Sequence, residues 1–295
     1  MDRQHLPWLD GLRGMAALWV LLSHVQILTG APFWPVVSWG QLAVDLFIML
    51  SGFLMAWHYV LRKSAEPFES RSTWWHFWVK RFFRIAPLYY FLLLCAMVLG
   101  PEIGAYRGVV GSVWPHTLTD ESRYIDTSLD NLVAHASFVF GMIPYYSFRT
   151  ALPDWSIGLE MQFYAVFPLL MLACARWGFA LVGLFVSVVS ALAIWLWPEF
   201  FSGFVMPSFL PMKIYMFFIG MWLAVAKLSS LRSYQLRLLL VIFVVTVVAA
   251  AAERSHEAYG RLIVVMGFAA LLGLMPVVQK MLDPVAGLCC TNRPA

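Results

Sequence analysis

The chain has 295 residues, 61% of them hydrophobic and only 12% charged, and carries a formal net charge of +4. Its mean hydropathy is +0.76. So few charges over this length exclude an ordinary soluble domain, and the alternating pattern of a barrel is absent, so the composition predicts an all-α polytopic membrane bundle.

Stretches of about 17–25 apolar residues can cross the hydrocarbon core as helices. In chain order they fall at Trp8–Leu28, Leu42–Leu61, Phe82–Gly100, Trp155–Ala175, Gly178–Trp197, Met212–Lys227, Leu236–Ala252 and Arg261–Leu282. The first carries Asp10 and Arg13 and lacks a small-residue cleavage site, so it is expected to be retained and not to be a signal peptide. The segment Asn131–Phe148, with His135, Ser137, Pro144 and a Tyr145–Tyr146 pair, makes a poor span. Taken as re-entrant or interfacial, it leaves about eight crossings, in a bundle of about eight to ten helices.

Basic residues set the orientation. Arg62, Lys63, Arg71, Lys80, Arg81 and Arg84 lie between the second and third spans against Glu66 and Glu69, so that segment is placed in the cytoplasm, with the N-terminus. The loop expected from Pro101 to Asp130 is mostly acidic and suits the outside. With Asn131–Phe148 not crossing, Arg176, Lys227, Arg232 and Arg237 all fall inside.

Within this frame the polar residues sort by depth. In LDGLRGMAALWVLLSH, Arg13 and His24 are eleven residues apart, about 16 Å along one helix face. Ionisable groups within a span are costly and functional by default, so His24 is a candidate general base, whereas Arg13 is equally explained by snorkelling to headgroups. AVDLFIMLSGFLMAWHY places Asp45 near the outer end of its span, as a catalytic candidate or a structural partner. The Ser51–Gly52 step reads as close helix packing. KRFFRIAPLYY sets Arg81 and Arg84 an i,i+3 step apart with Lys80 beside them, a cluster suited to phosphates or to lipid headgroups, and Pro87 is expected to bend the helix. PDWSIGLEMQFYAVFPLL starts a helix capped by Asp154 or Ser156, with Glu160 one turn in and at the same leaflet as His24 and Asp45. A neutral His24, oriented by a carboxylate, can take a proton from a hydroxyl.

The four cysteines show neither metal-ligand spacing nor a disulfide framework, and Cys95 and Cys174 read as small apolar residues. No metal and no nucleic-acid partner are expected.

Four strings in order across residues 9–170, LDGLRGMAALWVLLSH, VDLFIMLSGF, RFFRIAPLYY and WSIGLEMQFYAVFPLL, resemble the membrane acyltransferase 3 family. Residues 178–282 match by architecture and not by motif, so the chain reads as one domain over 1–295. The resemblance implies a bacterial multi-pass protein of the inner (plasma) membrane. It would move an acyl group, most commonly acetyl from acetyl-CoA, onto a carbohydrate or lipid-linked glycan. Acyl-CoA is then a substrate, with no permanently bound cofactor, and membrane lipids surround the helices.

By matching position the resemblance makes Arg13 and His24 essential, assigns Arg81 and Arg84 to the donor, and matches Glu160 to the acid of a W-S-x-x-x-E pattern. The expected set is therefore His24, Glu160 and Asp45 for catalysis and Arg13, Arg81 and Arg84 for the donor. Many relatives end in a further helix with a serine- and tyrosine-rich motif, whereas the tail at 283–295, DPVAGLCCTNRPA, resembles neither that motif nor a span. No appended hydrolase-like domain is legible. Intramembrane ionisable groups also suit a transporter with a proton relay, although no internal repeat of these motifs is visible. A structural envelope subunit is a third reading and would tolerate changes at His24 and Glu160.

Overall fold

The computed structural model describes residues 6–29, 35–253 and 256–275. Eight long helices organise them: α1 (Pro7–Thr29), α2 (Gly40–Arg62), α3 (Arg71–Val113), α4 (Trp155–Trp177), α5 (Phe179–Leu196), α6 (Leu210–Leu228), α7 (Arg232–Glu253) and α8 (His256–Leu271). No strand occurs among the described residues. Among the described residues seven helices are long and apolar enough to cross a bilayer, and Tyr259–Leu271 in α8 is a shorter apolar helix. The architecture is the all-α polytopic bundle expected. The eighth span is shorter than its apolar run suggested, and positions 276–282 and the tail at 283–295 lie outside the described residues.

Burial separates centre from rim. In α2 and α6, 67% and 72% of the apolar window is buried, against 11% in α1 and 22% in each of α3, α5 and α7. The rim helices present leucine, valine and phenylalanine outward, as lipid requires, so hydropathy alone cannot tell them from the centre. The two central helices approach at paired glycines. A methyl group at Gly52 would overlap the carbonyl oxygen of Phe217, and one at Gly220 would overlap that of Met49. Small residues bring backbones close where lipid supplies no hydrophobic drive between helices. Gly220→Val is therefore expected to destabilise the protein by about 3 kcal/mol, read as a fall in the thermal midpoint in detergent. Gly108→Ala, with open space around it, should cause no loss.

The third span departs most from expectation. The helix does not stop near Pro101 but runs for 43 residues, with Pro87 and Pro101 inside it. At about 1.5 Å per residue that is roughly 64 Å, twice the hydrocarbon thickness. The chain that follows folds back along the extension and holds it. Gly100 and Gly104 face Tyr124, Gly111 faces Leu118, and the Arg107 guanidinium donates to the Thr117 carbonyl. These contacts outweigh the hydrogen bond that a proline removes from a helix interior. The segment from Asn131 to Phe148 contains no helix long enough to cross: it holds the end of a helix at Leu129–Ala136 and two 3-10 turns, Val139–Met142 and Pro144–Tyr146.

Candidate functional site

Two cavities lie along α2 and α4. The larger, about 540 Å³, is lined by Arg62, Lys80, Arg81 and Arg84, by His58 and His76, and by the aromatic rings of Tyr59, Phe68, Phe77 and Phe167. Glu66 is its acid, paired with Arg62 at 2.7 Å and with Lys80 at 4.0 Å. Its basic side chains come from the end of α2 and the first turns of α3, where the long helix begins before its apolar run. The second cavity, about 360 Å³, is lined by Arg13, Ala17, Val20 and His24 of α1, by Val44, Phe47, Ile48 and Ser51 of α2, by Pro153, Trp155, Ser156 and Glu160, and by Phe217.

The sequence candidates therefore divide between two chambers. His24 and Glu160 share the second cavity, and Arg81 and Arg84 share the first. Arg13 lines the cavity of His24 and Glu160, and it is not brought together with Arg81 and Arg84.

Asp45 lines neither chamber. It is fully buried, with Lys213 Nζ donating to Oδ1 at 2.9 Å and Arg261 Nε donating to Oδ2 at 2.6 Å. Both cations are themselves buried, on α6 and α8. A buried carboxylate with two cations ties three helices together, the arrangement of the structural partner that the sequence left as one reading of Asp45.

His24 is exposed, and its Nδ1–H donates to the Val20 carbonyl at 2.8 Å, which leaves Nε2 as the lone pair. The orienting partner is thus a backbone carbonyl of its own helix and not the carboxylate anticipated. The same bond one turn back recurs at His58 and His76. What distinguishes His24 is the cavity it shares with Glu160.

Glu160 sits deeper than its position near the start of α4 suggested. Its Oε1 accepts from Ser51 Oγ at 2.9 Å and from the Tyr164 hydroxyl. Ser51 lies six residues, about 9 Å, further along α2 than Asp45, so the carboxylate is near mid-bundle. Arg81 stands over the Tyr164 ring at 5.3 Å and the Phe77 ring at 5.8 Å. Trp78 Nε1 donates to the Tyr164 carbonyl at 3.0 Å and fastens α3 to α4. Ser51 thus does more than the close packing its sequence context predicts. The helical i,i+4 spacing of Glu160 and Tyr164 was visible in sequence, but the partner on α2 was not.

The start of α4 is held by a second polar cluster. Asp154 occupies the N-cap position, yet its side chain does not cap the helix. Its Oδ2 accepts from the Tyr89 hydroxyl at 3.1 Å and from Thr150 Oγ1 at 3.2 Å, and His135 Nε2 lies 3.8 Å away. His135 Nδ1–H donates to the Asn131 carbonyl at 2.9 Å, and the ring stacks on Phe140. Burial pushes the Asp154 carboxyl up to about 6 and the His135 imidazole down to about 4. Asp154 alone makes the fold lose stability as pH rises toward its folded value, because the unfolded acid releases its proton earlier. His135 alone makes it lose stability as pH falls through the same range, because only the unfolded imidazole takes up a proton there. Between about pH 4 and 6 the folded cluster carries its proton on Asp154 and the unfolded chain carries one on His135, so the two slopes cancel. In His135→Gln only the aspartate slope remains. Its thermal midpoint should climb as pH falls from 6 to 4, by up to about 3 kcal/mol in stability, while the parent changes little from this source.

Among the described residues no group of His, Cys, Asp and Glu could hold a metal ion. A family model described as an acyltransferase domain matches residues 6–280. The acyltransferase MdmB of Streptomyces mycarofaciens is 32% identical over 175 residues, 56% of this chain and 38% of its own length. The peptidoglycan O-acetyltransferase OatA of Listeria monocytogenes is 27% identical over 60% of this chain and 26% of its own. A putative membrane-bound transacylase, BcsY of Komagataeibacter xylinus, is 30% identical over 54% of this chain and 35% of its own. The alignments thus span well under half of these relatives. No solved structure matches.

Proposed function

This chain belongs to the acyltransferase 3 family, and from that premise we propose that it moves an acyl group, acetyl in the first instance, from acyl-CoA to a hydroxyl of a carbohydrate or glycosylated acceptor at a bacterial plasma membrane. The observation that carries the reading is the pair of chambers a single helical turn apart. On α2, Ser51 lines the second cavity and Met55, four residues on, lines the first. The name of MdmB agrees with acyl transfer, and that of OatA with transfer of acetyl to oxygen.

In this mechanism the phosphates of the donor rest on Arg62, Lys80, Arg81 and Arg84, since guanidinium forks match phosphate oxygens. The basic chamber faces the cytoplasm, in line with the excess of lysine and arginine in that part of the chain. The donor's flexible arm carries the thioester toward the second chamber, past Arg13, which holds it there. The acceptor enters from the opposite side. Nε2 of His24 takes the proton of the acceptor hydroxyl as its oxygen attacks the thioester carbonyl. A carbon–oxygen bond forms, the carbon–sulfur bond breaks, and the thiolate leaves as CoA after regaining the proton. Glu160 balances the imidazolium while it exists.

Envelope glycans from cells with and without the chain, compared by mass spectrometry, test the reading: one acetyl group on one glycan should be lost with the gene. Unchanged glycans together with transport of a solute into vesicles would reject it. Arg84→Ala is expected to raise the KM for acetyl-CoA about 10-fold and to leave that for the acceptor near its parent value. Equal rises in both would reject a donor role.

A further inference from the structure

Tyr164 lines neither chamber and yet touches the machinery of both. It is buried, with 4% of its surface exposed. On one side Arg81, a wall of the basic chamber, stands 5.3 Å over its ring. On the other its hydroxyl donates to Oε1 of Glu160, a wall of the second chamber. The same oxygen takes its other hydrogen bond from Ser51 at 2.9 Å. Two donors from different helices on one carboxylate oxygen define both its position and its rotation. A tyrosine whose ring bears a cation also responds to that cation, because the attraction depends on the cation staying over the ring.

We propose that Tyr164 is a positioning residue that joins the chambers, its ring seating Arg81 for the donor and its hydroxyl, with Ser51, aiming the Glu160 carboxylate at the reaction. Donor phosphates that engage Arg81 act on the guanidinium seated on this ring, so donor occupancy is transmitted to the carboxylate through one side chain. The inference rests on the assignment of the two chambers to donor and acceptor.

The two halves of Tyr164 can be removed separately. Tyr164→Phe keeps the seat for Arg81 and deletes the hydroxyl, whereas Tyr164→Leu deletes both. Membrane vesicles from producing cells supply the acceptor, and labelled acetyl-CoA is the probe. In Tyr164→Phe, kcat should fall about 10- to 100-fold, the scale of one hydrogen bond to a charged group, with the KM for acetyl-CoA within about 2-fold of the parent. Tyr164→Leu should lose kcat similarly and also raise that KM several-fold. Ser51→Ala, which removes the other donor without touching the ring, should reproduce the kcat-only loss and stands in if Tyr164→Phe does not fold.

Parent-like kcat in Tyr164→Phe or, if that variant does not fold, in Ser51→Ala would overturn the proposal. So would a rise in donor KM as large as the fall in kcat in Tyr164→Phe, the pattern of a general loss of structure. Absence of labelled product from the parent chain itself would instead overturn the acyl-transfer reading, so the two failures are told apart.

Discussion

His24→Ala is expected to lower acyl transfer by about 10²- to 10⁴-fold, the usual contribution of a positioned general base, with the amount of folded protein in the membrane unchanged. The second half of that expectation comes from the structure. The ring is exposed and, among the described residues, bonds to a carbonyl of its own helix, so its removal uncovers no buried partner there. The Val20 carbonyl keeps the hydrogen on Nδ1 and presents Nε2 to the cavity. His24→Gln, which restores polarity without a base, should be as inactive as the alanine variant. Transfer of labelled acetyl groups in vesicles, normalised to folded protein, measures both. Substantial activity in the glutamine variant would mean that the imidazole supplies only a hydrogen bond.

Asp45→Ala should fail in the opposite way. It takes the carboxylate from Lys213 and Arg261, 3% and 2% exposed, and stranding the buried Lys213 charge costs about 3–5 kcal/mol. The expected result is a large fall in the thermal midpoint and in membrane yield. Transfer per folded molecule should stay near the parent, because the residue lines neither cavity. The double variant Asp45→Leu with Lys213→Met should recover part of the loss, since removing both members of a pair leaves fewer charges stranded. Loss of turnover in molecules that remain folded would return Asp45 to the catalytic set.

These two residues mark how far the sequence could be read. Both are ionisable groups about a turn and a half from the same end of their spans, and hydropathy treats them alike. Only the partners separate them, and the cations on Asp45 are 168 and 216 positions away in the chain. Lys213 and Arg261 stood at the edges of apolar runs, where a basic side chain ordinarily reaches for headgroups. Glu160 shows the same limit in depth. Its distance from the start of α4 was legible, but the hydrogen bond it accepts from Ser51, midway along α2, was not. The overrun of α3 past Pro101 follows the same logic, since a returning segment outweighed a local helix breaker.

By itself the sequence determined the solvent, the fold class, the approximate place of eight apolar runs and the spacing of His24, Arg81, Arg84 and Glu160 along their helices. These follow from composition and a 3.6-residue period, which act over one or two turns. The tertiary structure alone decided which helices are central, which polar groups share a chamber, and that one tyrosine lies between the two chambers. Those depend on contacts between helices far apart in the chain. In lipid they are chosen by small-residue packing and by pairing of buried charges, neither of which leaves a periodic trace.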